Sequence, residues 1–343
     1  MGGRLDPRVA AVRSAVRADL RALIAGLAGS AAGPTDTTVL VACSGGADST
    51  ALAAAVAFEA PRLGLRAGAV TVDHGLQPGS ADRAAGLVVR LRGMGLEPSC
   101  VVTVEVPVGT AGPEAAARTA RYAVLDDAAD ALEGCAVLLG HTADDQAETV
   151  LLGLARGSGI RSLAGMRAVS GRYRRPLLGL GRDVTLGACA AQNLPVWTDP
   201  HNSDPRFARV RVRDTVLPVL ERELGPGIAA ALTRTAEQAR ADADALDAVA
   251  AAELTRLTSD RPGTQLPVDA LAVLPPAIGS RVVRSWLLAA GAPATDLGYR
   301  HVLAVTRLVS SWHGQRWVEL PGGLRVTRRD GRLRVAHEPP VAG

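Results

Sequence analysis

Several short stretches carry residue types that can do chemistry together. From Val41 to Leu52 the chain reads VACSGGADSTAL, an apolar run that stops at Ser-Gly-Gly, turns, and resumes as an Ala/Leu-rich helix. Adjacent glycines between a strand and a helix permit positive φ and close backbone approach. The amides of such a loop and of the first helical turn converge on an anion, helped by the helix dipole. Ser44 and Ser49 add hydroxyl donors. Asp48 would repel an anion unless a cation lay between them, and Mg²⁺ is the natural one. The expected cradle is Ser44, Gly45, Gly46, Ala47, Asp48 and Ser49, with Asp48 facing the metal.

Two downstream groups have helical spacing. Glu114, Arg118 and Arg121 lie four and three residues apart, on one helix face. A solvated ion pair uses the same spacing. In GHTADDQAET, residues 140–149, His141, Asp144, Asp145 and Glu148 stand at offsets of three, one and three. His141, one of the aspartates and Glu148 can share a surface at a helix N-terminus, where carboxylates suit the dipole. Capping would account for one aspartate, and a metal site would account for the cluster. Val72-Asp73-His74-Gly75-Leu76 closes another apolar run, where a bound nucleotide would be passed.

The elements that must hold these residues follow from pattern. Asp6 and Pro7 open a helix over 6–26 with Val9, Val12, Val16, Leu20 and Leu23 on one face. Apolar runs at 38–43, 67–72, 100–106 and 136–139 then alternate with helical stretches. Runs of that length, buried on both faces and joined by crossover helices, make a parallel α/β sheet with its ligands at the strands' carboxyl ends. Gly225-Pro226-Gly227 precedes a long amphipathic helix through Ile228, Leu232, Ala239, Leu246, Val249 and Leu257. Helical stretches near 276–290 and 299–311 follow. The tail from Gln315 alternates with period two around Pro-Gly-Gly and Arg-Asp-Gly turns, predicting a small antiparallel sheet. The expected organisation is an α/β catalytic domain over 1–218, a connecting helix over 219–260 and a smaller α+β domain over 261–343.

Composition excludes several chemistries. The 343 residues contain no lysine, so all 38 basic residues are arginine, and neither a Schiff-base nor a Walker A lysine is available. Cys43, Cys100, Cys135 and Cys189 form no Cys-x-x-Cys pair, against a zinc, iron–sulfur or disulfide framework. Neither a signal peptide nor a long apolar span is evident, which predicts a soluble, cytoplasmic protein without a membrane partner. The sequence leaves a homodimer open.

The SGGxDS loop resembles that of the PP-loop ATP pyrophosphatases, with an adenine nucleotide alpha hydrolase-like fold, which grip the pyrophosphate of ATP and adenylate a substrate. Within that group the chain is similar to the tRNA(Ile)-lysidine synthetase family. The shared motifs are VDHGL at 72–76, E-x-x-x-R-x-x-R-Y at 114–122 and GHTADDQAET at 140–149. Arg156-Gly-Ser-Gly, Leu163-Ala-Gly-Met, Arg175-Pro-Leu-Leu, and Asp199 to Pro218 follow in order, so the match covers about 38–218. The resemblance implies ligation of free L-lysine to carbon 2 of the wobble cytidine in CAU-anticodon tRNA(Ile), using ATP and Mg²⁺ and releasing AMP and pyrophosphate. It implies Val72 and His74 beside ATP, and Asp144, Asp145 and Glu148 on the lysine amine. Arg118 and Arg121 would neutralise phosphate charge, and Asp48, Asp145 and Glu148 would act in catalysis. Glu114 and His141 would position the nucleotide or intermediate. The rivals are a tRNA thiolase, disfavoured by the missing cysteine pairs, and a small-molecule adenylating ligase.

Two positions depart from the family pattern: His201, where Ser or Thr is common, and Phe207, where Asn often stands. Neither is expected to touch the ATP loop. Seven arginines and no acidic residue lie between Arg156 and Arg182. Further clusters run from Arg206 to Arg213 and through Arg325, Arg328, Arg329, Arg332 and Arg334. Such clusters suit a phosphate backbone. Arg174, Arg175, Arg206, Arg209, Arg211 and Arg213 are the expected tRNA contacts, with the 261–343 region as a tRNA-binding domain.

Overall fold

The computed structural model describes residues 5–27, 37–75, 77–104, 113–157, 159–198, 204–259 and 265–337. Two compact units divide the chain: 1–157 with 162–236, and 158–161 with 237–343.

In the first unit, Asp6 caps α1 (Pro7–Leu27) by accepting the Arg8 amide at 2.8 Å, and Val9, Val12, Val16 and Leu20 are buried. The chain continues through β1 (Thr38–Ala42), α2 (Ala47–Glu59), β2 (Arg66–Asp73), α3 (Ser80–Gly93), β3 (Ser99–Thr103), α4 (Pro113–Ala131), β4 (Gly134–Leu139) and α5 (Ala143–Ala155). Next come α6 (Ile160–Leu163), whose first two residues count with the second unit, the short strands β5 (Val169–Ser170) and β6 (Tyr173–Arg174), and α7 (Arg182–Ala191). A π-helical turn, Val212–Val216, joins α8 (Ala208–Arg211) to α9 (Leu217–Leu224). The long helix α10 spans Ile228–Thr258.

The sheet order is β3-β2-β1-β4-β6-β5, parallel except for the β5–β6 pair. β1 is buried throughout, and its side chains alternate between two cores. Val39 and Val41 join Val16, Leu20, Leu52, Val56 and Ala188, whereas Leu40 and Ala42 join Leu125, Ala129, Val137 and Leu139. Each fully buried Val or Leu contributes about 1.5–3 kcal/mol, so this strand is fixed from both sides. From β1 the chain passes to β2 and β3 on one side, then returns to place β4 on the other. The carboxyl ends of β1 and β4 therefore flank the switch point where α/β sheets bind ligands.

The second unit holds β7 (Gln265–Pro267), α11 (Val268–Ala272), α12 (Pro276–Ala289), α13 (Tyr299–Ser310), β8 (Val318–Leu320), β9 (Leu324–Arg329) and β10 (Arg332–His337). These strands form an antiparallel sheet in the order β7-β10-β9-β8 over a core containing Trp286, Leu287, Val326 and Leu333. Asp330 at φ 51° and Gly331 at φ 69° make the β9–β10 turn.

Two boundaries differ from the sequence reading. The expected single helix over 219–260 is broken, because Gly225 and Gly227 adopt φ 96° and 98° between α9 and α10. The division between units falls inside α10, after Ala236, and not at 218. Ile228 and Leu232 pack with Ala147, Val212 and Leu217, whereas Leu246, Leu254 and Leu257 pack against the second unit's core. One helix thus changes partners along its length. Val249, expected on its apolar face, is 50% exposed.

Candidate active site

The loop after β1 is closed by Ser49. Its hydroxyl donates to Gly46 O at 3.1 Å and accepts the Ser44 amide at 3.2 Å. That leaves the Ser44 hydroxyl as donor in the 3.2 Å contact between the two serines. Gly45 takes φ +84° and Gly46 is the N-cap of α2 without a side-chain cap, so the first-turn amides of α2 are available to an anion.

A cavity of about 720 Å³ opens over this loop. Ser44, Gly45 and Gly46 form one wall, and Val72, Asp73 and His74 at the end of β2 form another. Arg121 of α4 reaches it too. Burial holds the Arg121 pKa below its ordinary value. Trp197 donates its backbone N–H to Gly45 O at 2.9 Å, and its ring lies 5.0 Å beneath the Arg83 guanidinium. Trp197 and Phe207 both line the cavity, which corrects the expectation that position 207 stands apart from the ATP loop. The phosphate cradle, the apolar walls and the volume fit a nucleoside triphosphate.

The turn between β4 and α5 is seated directly on the first turn of α2. A Cβ at Gly140 would lie 2.9 Å from Ser49 N and 3.0 Å from Asp48 O, so only glycine fits. Thr142 caps α5, and its amide donates to Asp145 Oδ2 at 2.8 Å. Capping therefore explains Asp145 in part, but one of its oxygens remains for other work.

Arg182, the first residue of α7, completes the cluster. Its Nη2 donates to Asp145 Oδ1 at 3.1 Å, its Nε to Asp48 Oδ2 at 3.4 Å, and its backbone N–H to Asp144 Oδ2 at 2.7 Å. Its Nη1 also lies 3.9 Å from Glu148 Oε1. The Thr185 hydroxyl donates to Asp48 Oδ1. Glu148 is wholly buried and receives Arg213 at 2.7 and 3.3 Å, with Arg209 at 3.8 Å. Burial pushes the Asp48 carboxyl above the usual range, against its Thr185 and Arg182 contacts. It does the same to Glu148, against Arg213. Burial holds His141 neutral, its pKa pushed down to about 3 against the attraction of Asp145. Its Nδ1 is buried without a hydrogen-bond partner.

Asp48 and Asp145 share one guanidinium, a pair of hard oxygen donors. This donor set suits a divalent cation held by one or two carboxylates and by substrate phosphates.

The structure brings most of the expected residues together and removes others. Arg118 does not face the nucleotide cavity. It lines a separate recess of about 570 Å³ with Tyr122 and Arg175. Arg174 is a correction to the RNA set, because it is buried and pairs with Asp19 at 2.7 Å. Arg175 is buried as well, donating to Arg167 O and Tyr122 Oη. Arg209 and Arg213 turn inward to Glu148, while Arg206 and Arg211 are exposed. The basic stretch is largely neutralised: Arg172 meets Asp126 and Asp130, and Arg161 meets Asp247. The Glu114 side chain, Leu76, Ser158, Asp199, Pro200, His201 and Asn202 lie outside the described residues.

Against this geometry stand the comparisons. A PP-loop domain model matches residues 17–220, and a TilS substrate binding domain model matches residues 266–334. A tRNA(Ile)-lysidine synthase of Thermobifida fusca is 55% identical over 331 residues, covering 96% of this chain and 98% of that protein. The chain belongs to the tRNA(Ile)-lysidine synthase family. Relatives of the same name from Salinispora arenicola and Mycobacterium tuberculosis are 52% and 47% identical, covering 98% and 87% of this chain and 99% and 91% of theirs. The fold is shared with a solved U34-tRNA thiolase, NcsA from Methanococcus maripaludis, at TM-score 0.54 and 19% identity, over 67% of this chain and 79% of that one. As a lysidine synthase family member this is a PP-loop, ATP-using ligase. Among its described residues no helix is long and apolar enough to cross a membrane.

Proposed function

We propose that the protein joins the ε-amine of free lysine to carbon 2 of the wobble cytidine in a CAU-anticodon isoleucine tRNA. The observation that carries this reading is that Arg182 hydrogen-bonds both Asp48, beside the phosphate cradle, and Asp145, in the acidic cluster. Phosphate chemistry and amine chemistry thus meet in one site.

The loop over 44–49 binds the β and γ phosphates and aligns the α phosphorus. Asp48 would hold Mg²⁺, which would supply charge neutralisation on those phosphates. The cytosine O2 attacks the α phosphorus and pyrophosphate leaves, with Arg121 offsetting the charge that develops. Asp144, Asp145 and Glu148 bind the lysine ammonium and take one of its protons. The free amine then attacks carbon 2, the C2–O2 bond breaks, and O2 departs as an oxygen of AMP. A neutral His141 orients the activated base, since an imidazole held below its ordinary pKa carries no charge to compete with the amine. Exposed Arg206 and Arg211 meet the RNA backbone, and the second unit contributes to tRNA binding. The protein works in the cytoplasm, where its substrates are.

The test is incorporation of radiolabelled lysine into an unmodified isoleucine tRNA transcript with Mg·ATP, beside a methionine tRNA with the same anticodon. Lysine-dependent labelling of the isoleucine tRNA, with one AMP released per lysine joined, is the expected outcome. AMP release without lysine labelling would reject the assignment.

A further inference from the structure

Every carboxylate that would hold the substrate amine is already engaged. Glu148 has both oxygens on Arg213 and is approached by Arg182 and Arg209. Asp145 gives Oδ2 to Thr142 and Oδ1 to Arg182, and Asp144 Oδ2 accepts the Arg182 amide. An ammonium needs several acceptor oxygens at once, so the cluster as it stands has a resident cation in the substrate's place.

Of the guanidinium groups around it, Arg182 is the one that touches both the acidic cluster and Asp48 beside the phosphate loop, and it is held loosely. Its side-chain contacts are 3.1, 3.4 and 3.9 Å, each longer than the 2.7–2.9 Å usual for a charge-assisted bond. They go to three different carboxylates, so none is the bidentate pairing a guanidinium prefers, whereas a phosphate offers that pairing. Arg213 by contrast grips Glu148 at 2.7 Å. The Arg182 backbone is anchored independently, through its N–H to Asp144 and through Thr185 to Asp48, so the side chain can move while α7 stays. Its contact with Asp48 places it next to the carboxylate that would hold a phosphate-bound cation.

We propose that Arg182 is a positioning residue, a tethered cation that occupies the amine site until nucleotide phosphates draw it away, so that lysine binding depends on nucleotide binding. This rests on the ligase reading above. When the phosphates arrive, the guanidinium exchanges its three long carboxylate contacts for a phosphate. Asp145 Oδ1 is thereby released to the ammonium, while Glu148 stays held by Arg213. By linkage, lysine and nucleotide strengthen each other's binding by the same factor. The order has a chemical use: the nucleophile is admitted only when the group that activates its target is present.

The test is equilibrium dialysis of radiolabelled lysine against the full chain, with and without Mg·α,β-methylene-ATP. Wild type, Arg182→Gln and Arg182→Lys are compared, with thermal melts to establish that each is folded. The analogue is expected to tighten lysine binding to the wild type about fivefold or more. In Arg182→Gln the two Kd values converge, and lysine alone binds at least as well as to the wild type. Arg182→Lys, a tethered cation without the planar fork, keeps part of the dependence. If the Gln variant does not fold, Arg182→Met keeps the apolar stem and takes its place. Equal lysine binding by wild type with and without the analogue, or an undiminished dependence in Arg182→Gln, overturns the proposal and leaves the ligase reading standing. No lysine binding by any form under either condition overturns both.

Discussion

Arg213 Nε lies 2.7 Å from Glu148 Oε1, and Glu148 has no exposure to solvent. A buried carboxylate that loses its partner is costly, by about 3 kcal/mol even where other cations stand nearby. Arg213→Ala is therefore expected to lower stability by that order in urea unfolding, and Glu148→Gln with Arg213→Gln together to recover more than half of it. A double variant no more stable than the single one would show that the pair is not the source of the loss.

Gly140 is a second point of no tolerance. A methyl group there meets backbone atoms of Asp48 and Ser49 at 3.0 Å or less, so the two loops must part. Gly140→Ala is expected to cost about 1–3 kcal/mol by overpacking. It should also slow tRNA-dependent AMP release more than tenfold, while Gly26→Ala, whose added Cβ meets nothing within 4 Å, changes neither.

The buried imidazole of His141 predicts a direction with pH. Its pKa falls from 6.5 to about 3 on folding. The unfolded chain thus takes up a proton that the folded one refuses. The stability is complete above about pH 6.5 and is lost as the pH drops toward 3, by up to about 1.4 kcal/mol per unit. Unfolding midpoints at pH 7 and pH 5 should differ more for the wild type than for His141→Gln. Equal slopes would place the titration elsewhere.

Arg174 and Arg206 should separate stability from RNA binding. Arg174 and Asp19 are 10% and 11% exposed and pair at 2.7 Å, so Arg174→Ala is expected to destabilise by about 3 kcal/mol. Arg206 is 82% exposed, and Arg206→Ala should change stability by less than about 0.5 kcal/mol. It should instead reduce the salt dependence of tRNA binding by about one unit of slope. The reverse pattern would return Arg174 to the RNA surface.

What the sequence disclosed and what it withheld divide along chain distance. The cradle over 44–49 and the cluster over 141–148 are each written within eight residues of chain, where spacing dictates geometry. The longer strands were legible for the same reason: β1 and β4 are near-continuous apolar runs, and β2 and β3 carry apolar centres between polar ends. The two-residue strands β5 and β6 and the three-residue β7 are too short to show a period, and only their partners make them strands. Arg182 lies 134 residues from Asp48 and Thr185 lies 137, so no local pattern announces either. Arg174 was misplaced because a run of like charge shows its sign but not the carboxylates folded against it. Asp19, for example, stands 155 residues from the Arg174 it neutralises.

The three guanidinium groups around Glu148 have one further consequence. An arginine does not surrender its proton at any physiological pH, so in the proposed reaction an amine arriving from solution would be the one cation beside these arginines able to become a nucleophile. Nor does the chain supply a rival from elsewhere, because it contains no lysine. On that proposal an activated cytidine would be protected from capture by the protein's own side-chain amines: the electrophile would end up joined to the free amino acid or to water, and never to the catalyst through an ε-nitrogen.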